Sequence, residues 1–521
     1  MKVKIIVAPQ TNPDPYWKPL MPLGAASIVS YLKEKGYEAE LDDLDIKNIV
    51  AERELSNKYQ KIDMEPFRQM DRVKEYLLGI KKDNQIEKMT ERLLSWTNYE
   101  GYDLIAISMA TRPHQLMPAL CMAKKIKENT NATVMIGGRR IYPEILEEYD
   151  FIDYGMLVDT GPGMEKILKF IQNNKNIEKE QIPMLMFRKN GEVQMGPPPN
   201  IDMEKTRYPD YGDLLKNLYM YHSHSDFNKN YHPKKLLLLP YHAVEGCVGK
   251  CAFCSGNSQK LIPKSINKIS GEIKQMKKEF NTDSFMFQSN EININYNYMD
   301  ELTKELKKLN ILWTDSARLD VFDEKLMKQT AESGCVHLTY GLESGSQQLL
   351  DKMNKGIDLE HASNIIKWST KYGIWNHINV IAGMPYETDE DIQKTIDFIN
   401  NNAENIHSVT ITKFFIAYNS PLEKYPEKYG LKKRKTKQIR FSNVKMESNV
   451  FDEVEGLKWE EKQEQQEKSV QMLIENIKIP VRSVVAIPAL FYLYSIYGRD
   501  IKKIKSAVKE NDLLKPYGLC G

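Results

Sequence analysis

The chain has 521 residues, of which 73 are basic and 71 acidic, and its formal net charge at pH 7 is +2. This balance provides no field of one sign that would attract a phosphate backbone, so we expect no nucleic-acid partner. Six cysteines are too few for a disulfide scaffold, and no secretory signal precedes the first strand, which together predict a cytoplasmic location. No run of 18 apolar residues occurs, so we expect no membrane span.

Residues 1–175 alternate short apolar strands with amphipathic helices. We predict strands at Val3–Ala8, Glu38–Leu41, Leu104–Met109, Thr133–Gly137 and Phe151–Tyr154, and helices at Ala25–Lys35, Leu116–Glu128 and Gly163–Gln172. This alternation is typical of a Rossmann-like α/β domain whose open parallel sheet binds ligands at the carboxyl ends of its strands. A charged, helical insertion is predicted at Glu52–Trp96.

Residues 176–232 have a looser pattern and are predicted to form a linker. The pair Asn190-Gly191 between β-forming residues indicates a hairpin. The run Pro197-Pro198-Pro199 then indicates an extended, stiff connector.

Regular strands resume in residues 233–430. We predict them at Lys235–Pro240, Ser284–Phe287, Leu312–Thr314, Val336–Tyr340, Trp375–Ala382 and Val409–Phe415. Because these units are too few to close an eight-fold barrel, we expect a partial (β/α)6 barrel with its chemistry on the loops at the carboxyl ends of the strands. Residues 431–521 are predicted to form a C-terminal helical domain with a buried apolar helix at Val484–Tyr497.

Three cysteines lie on one short, glycine-containing loop directly after the first of these strands. Cys247, Cys251 and Cys254 have the spacing C-x3-C-x2-C, and the next cysteine in the chain is Cys335. A [4Fe–4S] cluster normally takes four cysteine ligands, so three leave one iron open for an exogenous ligand, which suits a catalytic cluster. The alternatives are a structural zinc site, usually built from paired C-x2-C motifs, and a disulfide.

Two further motifs follow at the ends of later strands. The first is Y-G-L-E-S-G-S at residues 340–346, followed by M-x-K-G at 353–356, and the second is A-G-M-P-Y-E-T at 382–388. A carboxylate at a strand end, such as that of Glu343, can accept hydrogen bonds from both hydroxyls of a ribose in a dry pocket. Together with the cysteine spacing and the aromatic residue before Cys254, these motifs resemble the radical S-adenosylmethionine (SAM) superfamily.

The resemblance implies a set of contacts to a [4Fe–4S] cluster and to SAM. It assigns Cys247, Cys251 and Cys254 to the cluster, Gln288 and Ser289 to the SAM amine, Arg318 to the SAM carboxylate, Glu343 with the support of Ser344 to the ribose, and Phe253 and Gly383 to the adenine. The turn that holds Gln288 and Ser289 lacks both glycines of the family's G-G-E pattern. From the residues alone, a structural role for Arg318 and a core role for Phe253 remain open.

Three segments of the N-terminal region resemble the cobalamin-binding domains that precede many radical SAM modules. They are P-L-G-A-A at residues 22–26, I-A-I-S-M-A-T at 105–111 and V-M-I-G-G at 134–138. The resemblance implies that Ser108, Thr111, Gly137 and Gly138 line a slot for the nucleotide tail of cobalamin. Some of these domains carry a D-x-H-x-x-G loop after the first strand, whose histidine binds cobalt. That loop is absent here, and Pro9–Trp17 contains no histidine.

The resemblance as a whole implies a cobalamin-dependent radical SAM enzyme, most commonly a methyltransferase that acts on an unactivated carbon through a 5′-deoxyadenosyl radical and methylcobalamin. It further implies a small-molecule or peptide substrate and an electron donor such as flavodoxin or ferredoxin. A non-methylating rearrangement or cyclisation with the same cofactors, and an iron-sulfur electron carrier without catalysis, are the alternatives. A methylthiotransferase is less favoured, because those enzymes usually carry three additional N-terminal cysteines and here only Cys121 lies there.

Overall fold

Two large β-sheets, one in each of two structural units, organise the chain in a computed structural model. The first unit comprises Met1–His222 and Arg440–Met446, and the second comprises Ser223–Ile439 and Glu447–Gly521. The structure describes residues 1–11, 21–52, 58–109, 113–138, 141–157, 161–172, 177–212, 216, 218–219, 236–258, 260–417, 419–434, 439–441, 444–446, 450–479, 483–485, 487–510 and 514–516.

The described residues of 1–222 in the first unit include the following strands and α-helices. The strands are β1 (Lys2–Val7), β2 (Glu38–Asp43), β3 (Leu104–Met109), β4 (Thr133–Gly138), β5 (Tyr154–Met156), β6 (Leu185–Lys189) and β7 (Glu192–Met195). The helices are Leu23–Glu34, Leu44–Glu52, Met70–Leu77, Asn84–Leu94, Leu116–Asn129, Pro143–Glu148 and Pro162–Ile171.

The strand order of the first sheet is β2-β1-β3-β4-β5-β6-β7, and β1 to β5 are parallel. The order reverses between β1 and β3, as in a doubly wound sheet, which places a ligand crevice at the carboxyl ends of those two strands. The predicted hairpin is present as β6 and β7, with Asn190 and Gly191 both at positive φ, and it extends the sheet at β5.

Two apolar clusters, one formed by each set of alternate strand residues, make up the core of the first unit. The predicted insertion forms the helices Met70–Leu77 and Asn84–Leu94, which pack into one of these clusters through Val73 and Leu93. The strand predicted at Phe151–Tyr154 instead begins at Tyr154. The reason is local, since the Asp153 carboxylate before it accepts the Val134 N–H at 2.7 Å.

The second unit carries most of the remaining elements. Its main strands are β8 (Leu238–Tyr241), β9 (Val244–Glu245), β10 (Ile262–Pro263), β11 (Ser284–Phe287), β12 (Leu312–Ala317), β13 (Cys335–Glu343), β14 (Trp375–Ala382) and β15 (Ser408–Lys413). Its helices are Ile266–Phe280, Tyr296–Leu309, Glu324–Glu332, Gln347–Lys352, Leu359–Lys371, Asp389–Asn401, Pro421–Lys424, Trp459–Asn476, Ile487–Tyr497 and Ile501–Glu510. Short strands follow as β16 (Leu431–Lys433), β19 (Phe451–Glu453), β20 (Ser483–Val485) and β21 (Leu514–Pro516). The strands β17 (Ile439–Phe441) and β18 (Val444–Met446) belong, apart from Ile439, to the first unit.

The second sheet has the order β15-β14-β13-β12-β11-β8, and all its strands are parallel. Because the strands follow one another in chain order without a reversal, the sheet is wound in one direction, which is the topology of a partial barrel. The predicted partial barrel of six β/α units is thereby confirmed. All six carboxyl ends lie at one edge, so the loops that follow them are brought together.

The C-terminal residues include the predicted buried apolar helix, which runs from Ile487 to Tyr497. It packs in one cluster with Val336 and Trp375, which lie at the amino ends of their strands. Its Tyr494 hydroxyl donates to the Gly373 carbonyl at 2.9 Å, before the start of β14. This end of the sheet is therefore covered, and the carboxyl end is left for ligands. Among the described residues, no helix is both long and apolar enough to cross a membrane.

Gly334 lies in the tight connection that leads into β13, and its substitution tests the packing there. Its φ is +99°, and a Cβ at this position would lie 1.8 Å from the Ile311 carbonyl oxygen. Gly334→Ala is therefore expected to lower the free energy of unfolding by about 1–3 kcal/mol, measured by denaturant titration. The matched control is Gly271→Ala on the exposed face of helix Ile266–Phe280, where a Cβ meets nothing within 4 Å. That control should be neutral or stabilising by up to about 1 kcal/mol, and equal effects would contradict the packing.

Candidate functional site

The three cysteines of the C-x3-C-x2-C loop lie side by side in the second unit. A Cβ built on Gly249 would lie 3.1 Å from the Cys247 sulfur and 3.6 Å from the Cys251 sulfur. A Cβ built on Gly256 would lie 3.3 Å from the Cys254 sulfur and 3.9 Å from Cys247 Cβ. Both glycines thus leave room for the loop to curl the three thiols around one space.

Three hydrogen bonds hold the cysteine loop from neighbouring segments. The Val248 N–H donates to Glu291 Oε1 at 2.5 Å, next to Cys247. Asn354 Nδ2 donates to the Lys250 carbonyl at 2.9 Å, and the Ala252 N–H donates to the Met353 carbonyl at 2.8 Å. The loop is therefore fixed by the segment after β11 and by the M-x-K-G segment.

A buried arginine balances the charges beside the thiols. Burial, followed by the neighbouring Glu291 carboxylate, raises the pKa of Cys247 to about 12. Arg318 lies against the same loop, with Nη1 2.6 Å from the Cβ position of Gly249. Its Nε donates to Asp320 Oδ2 at 2.7 Å and lies 3.6 Å from Glu291 Oε2. The guanidinium therefore compensates two carboxylates next to the place where thiolates would have to form.

The donor set fits an iron-sulfur cube. Among the described residues, no three His, Cys, Asp or Glu side chains converge as ligands of one metal ion. A cube binds each thiolate through a separate iron, so its ligands need to be neighbours without converging on one point, and the Cys247 and Cys251 sulfurs both lie near the Cβ position of Gly249. Cys121 and Cys335, which lie elsewhere, are fully buried as isolated thiols.

Glu343 projects from the carboxyl end of β13 in an unusual backbone conformation. Its φ is +69°, and the pairing with β14 shifts register between Gly341 and Glu343, which is a β-bulge. Its carboxylate accepts from Lys355 Nζ at 2.9 Å, and both side chains are about nine-tenths buried. Burial would lower the pKa of Lys355, but Glu343 and the nearby Cys251 thiol together raise it. The bulge therefore directs the carboxylate toward Lys355, in the segment that is hydrogen-bonded to the cysteine loop.

The three residues after Glu343 attach this strand end to helix Asp389–Asn401. The Ser344 hydroxyl lies 3.2 Å from Thr395 Oγ1, and Ser346 donates to Asp391 Oδ1 at 2.5 Å. A Cβ on Gly345 would lie 2.5 Å from the Lys394 carbonyl oxygen, so only glycine fits against the helix. Ser344 thus supports the position of Glu343 through the helix.

Gly383 lies directly against helix Trp459–Asn476 of the C-terminal region. Its φ is +81°, and a Cβ there would lie 2.1 Å from Gln466 Cγ, on helix Trp459–Asn476. Gln466 also donates to the Gly383 and Phe414 carbonyls at 3.3 and 3.0 Å. The close approach that requires glycine here is to Gln466, and the contact of Gly383 with adenine stays a prediction.

Gln288, Ser289 and Phe253 surround the same edge of the sheet. The Gln288 N–H donates to the Tyr241 carbonyl at 2.8 Å, and the Ser289 N–H donates to Asp315 Oδ1 at 3.0 Å. Burial raises the pKa of Asp315 to about 7. The Phe253 ring is partly buried and lies 6.0 Å from Lys355 Nζ. The structure thus brings these residues to the carboxyl ends of β8 and β11 and to the cysteine loop.

Sequence reasoning assigned no role to several residues that hold this site, among them Glu291, Asn354, Lys355, Lys462 and Gln466. Lys355 and Asn354 lie within the quoted M-x-K-G motif, and their place in that motif was the available signal. Lys462 pairs with Glu453 at 2.9 Å and donates to the Met384 carbonyl at 2.6 Å, both buried. No local pattern marks a contact between residues so far apart in the chain.

The first unit places the candidate cobalamin residues beside its ligand crevice. Ser108 is aligned with Val7 of β1 on one side and with Gly137 of β4 on the other. Gly138 has φ +149°, and a Cβ there would lie 2.2 Å from the Met109 carbonyl oxygen. Thr111 lies outside the described residues.

A buried acidic pair closes the carboxyl end of β2 in the same unit. Asp45 accepts from the Gln10 backbone and side chain at 2.8 and 2.9 Å, and Tyr219 donates to Asp43 at 2.7 Å. Burial, followed by the charge of Asp45, raises the pKa of Asp43 to about 7. The hydrogen bonds to this pair come from within the unit.

The geometry at Ser108 and Gly137 fits a ligand that runs along the backbone. Both residues are partly exposed at the carboxyl edge. A Cβ on Gly137 would meet only the Met156 carbonyl oxygen, at 3.6 Å, an ordinary contact, so a larger side chain would extend into the open space. This combination of small residues at the crevice suits the nucleotide tail of a cofactor such as cobalamin.

Comparisons with known proteins agree with this architecture. Residues 241–399 match the radical SAM superfamily. An uncharacterised methyltransferase of Pyrococcus horikoshii is 26% identical over 57% of this chain, and the match spans 63% of the length of that relative. Cytidylyl-2-hydroxyethylphosphonate methyltransferase of Streptomyces wedmorensis is 25% identical over 72% of each chain.

A solved structure shows the same fold over nearly the whole length. The radical S-adenosylmethionine methyltransferase TsrM of Kitasatospora setae, solved with cobalamin and a [4Fe–4S] cluster, aligns with 98% of this chain and 100% of its own. The TM-score is 0.62 and the sequence identity is 14%. With the superfamily match and the assembled cysteine loop, residues 241–399 of this chain are a radical SAM domain.

Proposed function

We propose that this protein is a cobalamin-dependent radical SAM methyltransferase that acts on an unactivated carbon. The observation that carries the proposal is the grouping of three cysteine thiols on one loop with Glu343 and Lys355 at the carboxyl edge of the second sheet. Relatives named as methyltransferases and the fold shared with TsrM support it. Because one of these relatives is matched over less than two thirds of its length, the activity of the whole protein is part of the proposal.

The residues divide into those that hold the cluster and those that orient SAM. Cys247, Cys251 and Cys254 hold the cluster, and Arg318 offsets the buried carboxylates beside it. Glu343 accepts hydrogen bonds from the ribose hydroxyls of SAM. When bound, the cluster supplies the reductive cleavage of SAM, and cobalamin supplies the methyl transfer.

The remaining assignments concern the ends of SAM and the cofactor of the first unit. Gln288 and Ser289 bind the amine of SAM, Arg318 the carboxylate, and Phe253 and Gly383 the adenine. In the first unit, Ser108, Gly137 and Gly138 line the slot of the cobalamin tail, and Thr111 belongs to the same motif. We also propose a cytoplasmic location and a flavodoxin or ferredoxin as electron donor, because a thiolate-bound cluster needs reducing surroundings.

Product analysis separates this function from its alternatives. Protein loaded anaerobically with iron, sulfide and cobalamin is mixed with SAM, a reductant and a panel of small molecules and peptides. A methyltransferase forms 5′-deoxyadenosine together with S-adenosylhomocysteine and a product heavier by one methyl group. A rearrangement or cyclisation forms 5′-deoxyadenosine without methyl gain, and an electron carrier forms neither nucleoside. Either of the last two results would contradict the proposal.

Each cluster cysteine is expected to be essential. Cys247→Ala, Cys251→Ala and Cys254→Ala should each lose most of the bound iron and reduce 5′-deoxyadenosine formation to background, because a cube with two protein thiolates is weakly held. Iron content and chromatography of the nucleoside products measure this. Cys520→Ala, a cysteine outside the motif, is the matched control and should retain both. Full iron content and normal SAM cleavage in any of the three variants would refute the ligand assignment.

Gly137 is expected to control uptake of cobalamin. Gly137→Leu should abolish retention of the cofactor, measured by its visible absorbance after gel filtration, because the added side chain would occupy the slot. Gly137→Ala, whose Cβ makes only an ordinary contact with Met156, should retain cobalamin. Thermal melting of both cofactor-free variants controls for the fold. Equal retention by the two variants would argue against the slot, and a wild-type protein that takes up no cobalamin would refute the domain assignment.

A further inference from the structure

Lys355 is a buried cation whose role the assignments above leave open. It follows helix Gln347–Lys352 in the M-x-K-G motif, and its relative exposure is 7%. Its Nζ lies 2.9 Å from Glu343 Oε1. A buried charged side chain without a partner is strongly disfavoured, so the contact stabilises the burial of both Lys355 and Glu343.

The backbone around Lys355 is fixed from several directions. The Lys355 N–H donates to the Leu350 carbonyl at 2.9 Å. Arg318 Nη2 donates to the carbonyls of Lys355 and Gly356, each at 3.3 Å. Asn354, directly before Lys355, has φ +51° and donates to the Lys250 carbonyl in the cysteine loop. The ammonium group is therefore held in one place relative to Glu343 and to the loop.

The pair leaves one oxygen of Glu343 available. Lys355 Nζ is the donor that the described residues offer to the carboxylate, and it binds Oε1. The side chain of Glu343 is 11% exposed, so its carboxylate is largely removed from water. A hydrogen bond from a fixed ammonium group to Oε1 restricts rotation of the carboxylate and so fixes the direction of Oε2.

We propose that Lys355 is the positioning residue for Glu343: by binding Oε1 it holds the carboxylate in one orientation and turns Oε2 toward the ribose hydroxyls of SAM. This inference rests on the proposed function, since it concerns the same SAM site. Lys355 then acts on SAM affinity through Glu343, without a contact of its own to the ligand.

A double-mutant cycle distinguishes action through Glu343 from direct contact. The variants are Lys355→Met, Lys355→Arg, Glu343→Gln and the double variant Lys355→Met/Glu343→Gln, all loaded with cluster under anaerobic conditions. Lys352→Met, an exposed lysine three residues earlier, is the matched control. Equilibrium dialysis with SAM gives the affinity, and iron content with the spectrum of the reduced cluster reports whether the cluster has changed.

We expect Lys355→Met to weaken SAM binding by about 10- to 100-fold, in the range of a lost hydrogen bond to a charged group. Lys355→Arg should restore part of this, and Lys352→Met should bind like the wild type. In the Glu343→Gln background, Lys355→Met should change the affinity by less than about 3-fold, because there is no carboxylate left to position. Iron content should stay the same in all five variants.

Three results would overturn the inference. Additive losses in the double variant would show that Lys355 contacts SAM directly. Wild-type affinity in Lys355→Met would show that Glu343 needs no partner. Loss of iron in both Lys355→Met and Lys355→Arg would show that the residue serves the cluster loop instead. If wild-type protein with a full cluster fails to bind SAM at all, the proposed function itself fails, which is a different result from any of these.

Discussion

The chain-ordered parallel pairing of β8, β11, β12, β13, β14 and β15 is the constraint on which the site depends. In such a sheet all carboxyl ends share one edge, so residues that are far apart in the chain meet in the loops beyond that edge. The cysteine loop follows β8, Ser289 follows β11, Arg318 follows β12, and Glu343 ends β13. The other edge is covered by helix Ile487–Tyr497, which leaves a single edge for ligands.

Burial of charge at this edge is tolerated because the charges are arranged in compensated groups. Arg318 faces Asp320 and Glu291, and Lys355 faces Glu343, with every partner at least half buried or next to the cysteine loop. Breaking one member of such a pair leaves an uncompensated charge, which costs far more than the pair contributes. The M-x-K-G segment belongs to this arrangement, since Asn354 donates to the cysteine loop and Arg318 donates to the Lys355 carbonyl.

Local patterns in the sequence predicted the elements well, whereas contacts made by distant residues could not be predicted. The cysteine spacing and the strand that ends at Glu343 are visible as motifs, and the Asn190-Gly191 pair predicted its hairpin through turn chemistry. The reason for glycine at position 383 was not visible, because Gln466, which occupies its Cβ side, is 83 residues away. The M-x-K-G motif marks Lys355 but does not show that its side chain pairs with Glu343, since which cation approaches a carboxylate depends on the path of the turn between them. Such contacts are decided by tertiary packing, which cannot be read from the local pattern of a single sequence.

Electron-nuclear double resonance shows whether one iron of the cluster is open to SAM. The sample is the reduced, cluster-loaded protein mixed with SAM labelled at its amine with ¹⁵N or at its carboxylate with ¹⁷O. Three cysteine ligands and one open iron predict hyperfine coupling from both labels, because both groups would bind the fourth iron. A companion binding measurement establishes that SAM is present in the sample. Bound SAM without coupling from either label would contradict the account, since the cluster would then have no open iron for the ligand.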